Sequence, residues 1–126
     1  MQRRAQWVVA CLACVGSSGP DAAEKWLEVG VATDGVRAYV DTNSLSAGNG
    51  WVRVTQRFDF PRSHRRPLGR VEQQVVYVCT TRIVRTLTSV EIGRDGGIRR
   101  TDTGKAVAPY RIEAGTLPRY ILDLLC

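Results

Sequence analysis

From Lys25 onward, short apolar runs alternate with clusters of turn residues. Lys25–Val31 carries Trp26, Leu27, Val29 and Val31 and ends at Thr33-Asp34-Gly35. An Asp-Gly pair between two such runs predicts a hairpin, because the turn needs positive φ. Val36–Asp41 puts Val36, Ala38 and Val40 on one face and Arg37, Tyr39 and Asp41 on the other. Asn43–Gly50, rich in Ser, Asn and Gly, reads as a loop. Trp51–Phe60 gives the clearest strand, with Val52, Val54, Phe58 and Phe60 facing one way and Arg53, Thr55, Arg57 and Asp59 the other. Period-two alternation of this length means one buried face and one wet face. Pro61–Gly69 interrupts with two prolines, a glycine and several arginines. Val71–Thr80 and Arg82–Ile92 are rich in β-branched residues, as strands are. Arg94-Asp95-Gly96-Gly97 makes a further turn, and Ile98–Thr103 reads as a weak edge strand.

The pattern changes period at Thr116. Its hydroxyl can cap a helix, Pro118 is tolerated in the first turn, and Leu117, Ile121, Leu124 and Leu125 recur at helical spacing. So short a helix does not persist alone in water and must pack. The predicted fold class is therefore α+β: an antiparallel sheet of five to six strands with a short C-terminal helix lying on its open face. The 126-residue length leaves room for one domain only.

The first 23 residues form a separate class. Arg3 and Arg4 precede an uncharged apolar run, Trp7 to Val15, and small residues then lead to Ala22-Ala23. Charge, grease and small residues in that order predict a secretory signal peptide over 1–23, cleaved after Ala23, with a single domain over 24–126. The apolar run falls far short of the ~20 residues of a spanning helix. A rival is cleavage before a lipidated cysteine, Cys11 or Cys14, although both come early. Hydrophobic content of 44% and charged content of 24% are those of a folded protein. Basic residues outnumber acidic ones by 18 to 12, and all but Lys25 and Lys105 are arginine. The net charge is +6, and loss of Arg3, Arg4 and Asp21 with the signal would leave +5. Such a charge favours anionic surfaces. An arginine bias can also follow from codon composition, which lowers its weight. Cleavage leaves two cysteines, Cys79 and Cys126, and two cysteines in an exported domain read most simply as a disulfide. It would fasten the helix end to a central strand and stabilise by roughly 4 kcal/mol in the chain-entropy model.

These pieces, in order, resemble the surface-adhesin E family of small exported bacterial proteins. The matching features are Trp26 with Val29-Gly30, Asp34-Gly35, Tyr39-Val40-Asp41 with Ser44-Leu45, and the strand from Trp51. They continue with the strand ending in Cys79 and with Gly115-Thr116 leading into a helix that finishes on Cys126. The resemblance implies the same sheet and helix, with a Cys79–Cys126 bridge. The family's namesake is an outer-membrane adhesin that contacts host matrix proteins. This sequence departs from it in lacking a convincing lipid-attachment cysteine and in the basic character of Arg62–Arg70.

Candidate chemistry is sparse. His64 stands alone among arginines and reads as a solvated loop residue, not a base or ligand. Cys79 and Cys126 could in principle be a nucleophile or a metal pair, but a metal site wants four ligands at typical spacing. Asp41, Asp59, Glu72 and Glu91 are scattered over several strands, where alternation lets some pair with Arg53, Arg57 or Arg85. No glycine loop runs from a strand into a helix to cradle phosphate. Trp26 and Trp51 read as core or sheet-face packing. No catalytic set, cofactor or metal is expected. One patch stands out: Arg57, Arg62, Arg65, Arg66 and Arg70, whose guanidinium forks match phosphate, sulfate and carboxylate groups. Its expected partners are a host matrix protein or an anionic envelope component such as lipopolysaccharide or an acidic glycan. Peripheral membrane contact fits the same charge, while export removes nucleic acid as a partner. The expected role is a non-enzymatic binding protein of the periplasm or outer-membrane surface. The other reading is a structural periplasmic protein without its own ligand.

Overall fold

A computed structural model describes residues 24–105 and 107–126; the expected signal segment, 1–23, lies outside the described residues. The strands are β1 (Trp26–Val31), β2 (Arg37–Asp41), β3 (Ser46–Gly48), β4 (Trp51–Asp59), β5 (Arg70–Val78), β6 (Ile83–Ile92), β7 (Ile98–Thr103) and β8 (Tyr110–Arg111), followed by helix α1 (Leu117–Leu125). All pairings are antiparallel, in the order β1-β2-β4-β5-β6-β7, with β3 also on β4 and β8 also on β6. The expected α+β class is thus observed. The six long strands form its main path, and the two short ones extend it to an eight-stranded sheet.

One of those short strands corrects the expected loop at Asn43–Gly50. Asp41 accepts a hydrogen bond from Asn43 N at 3.0 Å and caps a single 3-10 turn, Thr42–Ser44. Ser44 Oγ then accepts from Thr55 N at 2.8 Å, which draws the chain back onto β4 so that Ser46–Gly48 can pair with Arg53–Trp51. The Asp-Gly turn is as expected: Gly35 has φ 89°, and Asp34 Oδ1 accepts from Val36 N at 3.2 Å.

Ala38, Val40, Val54, Val75, Tyr77 and Val84 of the sheet, with Ile112, Ile121 and Leu122, make the core. Alternation along β4 places Val52 and Val54 inside, and Gln56 also points inward. This buried amide is satisfied by a ladder across three strands. Tyr77 donates its hydroxyl to Gln56 Oε1, Gln56 Nε2 donates to Gln73 Oε1 at 2.9 Å, and Gln73 Nε2 donates to Ser89 Oγ at 3.3 Å. Buried polar groups linked in this way avoid the penalty of unmet hydrogen bonds. On β6, Val75 faces Thr86 and Gln74 faces Thr88, so Leu87 is an extra, unpaired residue.

The helix covers the core face. Thr116 Oγ1 accepts from Arg119 N at 3.4 Å, and Pro118 sits in the first turn. Ile121 and Leu122 are buried, with Leu117 and Leu125 packed beside them. Leu124, expected on this face, is 55% exposed. The helix rolls so that positions i, i+4, i+5 and i+8 from Leu117 face inward, which leaves i+7 on the flank. Cys126 joins Cys79, just past β5, in the expected disulfide, with Cα atoms 5.7 Å apart.

Candidate functional site

The five arginines singled out in the sequence do not share one loop. Arg57 lies within β4 on the sheet face away from the helix. Its guanidinium stacks over Trp26 (4.9 Å) and Tyr39 (4.6 Å), and its Nε is 2.9 Å from Asp59 Oδ1. Arg70 opens β5 and pairs with Glu72 at 2.8 Å. With Arg37–Glu28 at 3.0 Å, these contacts make this end of the outer face a self-neutralised array. Exposed pairs of this kind contribute little stability, but they leave little free charge for a ligand.

Arg62, Arg65 and Arg66 do lie together, on the segment between β4 and β5. That segment is held firmly. Phe60 N donates to Gly69 O and Gly69 N to Ile92 O, each at 2.9 Å. A Cβ on Gly69 would come within 2.8 Å of Gly93 O, so only glycine permits this approach of the two backbones. Arg94 Nη2 lies 3.1–3.3 Å from the carbonyl oxygens of Pro61, His64 and Arg66, and Arg99 Nη1 donates to Pro67 O at 2.8 Å. Leu68 is buried beneath the segment.

His64 is correspondingly not the solvated residue expected from sequence; its side chain is only 14% exposed. The ring stands edge-on to Phe60 at 5.0 Å. Nδ1 accepts from Arg66 N at 3.2 Å, which assigns the proton to Nε2, 3.2 Å from Asp34 Oδ2. A ring so engaged on both nitrogens is a structural pin. Arg66 reaches over Phe60 (5.6 Å) to within 3.8 Å of Glu91. Arg62 and Arg65 project into solvent with no ion-pair partner among the described residues. The result is a rigid basic corner: two free guanidinium groups, a third loosely paired, and two more used as struts.

Arg94 and Arg99 were not among the sequence-derived candidates. Their signal was available in the hairpin register. The turn after Cys79 places Arg70 opposite Ile92, so the segment before Arg70 must adjoin the turn after Ile92.

Chemically the free guanidinium groups of the corner can hold phosphate, sulfate or carboxylate anions. Among the described residues no three of His, Cys, Asp and Glu come together as metal ligands. No helix among them is long and apolar enough to cross a membrane.

Comparison with known families supplies the remaining observation: the profile described as surface-adhesin protein E matches residues 26–126. The chain belongs to the surface-adhesin protein E family. Comparison with curated proteins and with solved structures gives no match. In this adhesin-family chain the matched segment begins at the first residue of β1 and ends at the disulfide-bonded Cys126, so it spans the whole sheet and its helix.

Proposed function

We propose that the protein is exported by residues 1–23, cleaved after Ala23, and acts at the cell envelope as a non-enzymatic adhesin. The observation that carries this reading is the adhesin-family match over residues 26–126, which begins just past the proposed cleavage point. The contact for the partner is the basic corner, with Arg62 and Arg65 as free anion-binding groups, Arg66 beside them, and Arg57 and Arg70 confined to ion pairs on the sheet. Its partner carries phosphate, sulfate or carboxylate groups, on a host matrix protein or on an anionic envelope component. A restrained segment loses less entropy on binding than a floppy one, so each contact retains more net energy.

The double variant Arg62→Ser/Arg65→Ser should elute from immobilised heparin at clearly lower salt than the parent, with an unchanged melting temperature. Cells displaying it should adhere less to matrix-coated surfaces, while surface protease accessibility stays the same. Equal elution and equal adhesion would refute the corner as contact. A protein that protease cannot reach on intact cells would leave the second reading, a structural periplasmic component.

A further inference from the structure

The outer face of the sheet has a second end with a different character. Around the start of β4 and the end of β5, Trp51, Arg53, Val76, Val78, Arg85 and Leu87 line a shallow, open groove of about 710 Å³. Register fixes their arrangement. Trp51 faces Val78, and Arg53 and Arg85 stand on either side of Val76. The two arginines are thus two strands apart, about 10 Å at the backbone, within reach of one anion above Val76. Neither meets a carboxylate among the described residues; Arg53 makes only a 3.4 Å contact from Nη2 to Gln74 Oε1. This contrasts with the other end of the same face, where Arg37, Arg57 and Arg70 are each paired.

Trp51 is held for display. It is 38% exposed, although it belongs to a strand with a buried face available. The indole lies against Gly48 of β3, where a Cβ would overlap its Cε2, Nε1 and Cζ2 atoms. Gly48 has no positive φ to require glycine, so the ring itself is what the missing side chain accommodates. Cys79 N donates to Gly50 O at 2.9 Å, which ties the β3–β4 turn to the disulfide-bearing end of β5. A rigid aromatic group offers contact area at small conformational cost.

We propose that this groove binds a uronic-acid-bearing polysaccharide, one sugar ring stacking on Trp51 while Arg53 and Arg85 hold its carboxylate. Leu87, the bulged residue of β6, and Val76 supply apolar contact for ring C–H groups, and Asn49 and Thr80 at the rim offer partners for hydroxyls. The charge selects an acid: two guanidinium groups without a carboxylate partner beside an apolar floor are complementary to a carboxylate on a ring, and a neutral sugar lacks that charge-assisted contact. The openness argues against an acyl chain, most of whose length would stay in water, whereas a sugar needs one covered face. The groove and the basic corner lie at opposite ends of β5, about 26 Å apart. They are separate sites, and a long acidic chain touching both would gain from effective concentration.

The test is an NMR titration of the isotope-labelled, disulfide-bonded protein with a hyaluronan hexasaccharide, which carries uronate and no sulfate. Expected are shifts of the Trp51 indole N–H and of amides in 49–53 and 76–80 that persist in the Arg62→Ser/Arg65→Ser variant. Arg85→Ser, which removes one charge-assisted contact, and Trp51→Ala, which removes the stacking face, should each weaken binding by about tenfold or more. Arg85 is exposed, so its variant folds as the parent does. The neutral cellohexaose, which keeps the stacking but lacks the carboxylate, should bind at least about tenfold more weakly. Shifts confined to 61–67, binding untouched by Arg85→Ser, or equal response to cellohexaose would overturn the proposal. So would Trp51 signals that move with dodecyl phosphate but not with the hexasaccharide. Failure here leaves the basic corner and cell adhesion untouched, since Arg62→Ser/Arg65→Ser reads those independently.

Discussion

Replacing Cys126 with Ser removes the crosslink between the helix end and the sheet. The bridge spans a sequence separation of 47. In the chain-entropy model a loop of that length, left open in the unfolded chain, corresponds to about 4 kcal/mol. A domain of this size is stable by about 5–15 kcal/mol in total, so the change should be large and the variant still folded. The helix retains Ile121 and Leu122 in the core, so its end should fray before it undocks. Urea unfolding followed by circular dichroism measures the effect. With a slope of about 2 kcal/mol per molar urea, the midpoint should fall by roughly 2 M. Reducing the parent protein should lower its midpoint to the variant's value, and the variant should not respond to reductant. Two free thiols in the native, air-oxidised mature protein, residues 24–126, whose cysteines are Cys79 and Cys126, would refute the bridge. A midpoint within about 0.3 M of the parent's would refute the entropic argument.

Two further outcomes follow from buried and strut residues. Burial, reinforced by Tyr110, raises the Tyr77 phenol far above its ordinary value of 10.0. The unfolded chain therefore ionises first, so stability is intact below about pH 10 and falls as pH rises above it, by up to about 1.4 kcal/mol per unit. Urea midpoints between about pH 8 and pH 11 should show this fall, and Tyr77→Phe should flatten it; an unchanged slope in the variant would refute the assignment. Arg94→Ala frees the carbonyls of Pro61, His64 and Arg66. Amide exchange over 61–67 should speed up while global stability falls by only about 1 kcal/mol, and unaltered exchange would show that Leu68, Gly69, Arg99 and the pinned His64 hold the segment without Arg94.

Local chemistry was enough to write the six longer strands, but not Ser46–Gly48 or Tyr110–Arg111. Val52 and Val54 against Arg53 and Thr55 specify a half-buried strand wherever β4 sits in the sheet, because side chains of an extended chain alternate by geometry. Asp34-Gly35 and the Thr116 cap are equally local: each is set by the backbone within a few residues, and each is found as expected. The same holds for the pairing of Cys79 with Cys126, since once residues 1–23 are set aside no other partner exists.

What sequence could not decide depends on register between distant segments. The arginine run at 57–70 looks continuous, yet the end of β4 and the start of β5 divide it. Arg57 is carried to Trp26 and Tyr39, Arg70 opens the next strand beside its near neighbour Glu72, and only 62, 65 and 66 remain at the corner. His64 changes from an expected solvated residue to a pinned one because Asp34, thirty positions away, is folded beside it. Ser46–Gly48 becomes a strand only through its pairing with β4, and Gly48 finds its purpose only under the indole of Trp51. Intrinsic preferences act within a few residues, whereas charge pairing, exposure and the emptiness left for a ligand are sums over chains that meet only in the folded sheet. Arg53, Trp51 and Arg85 are ordinary strand residues in the sequence, and three pairings of the tertiary structure place them on one groove.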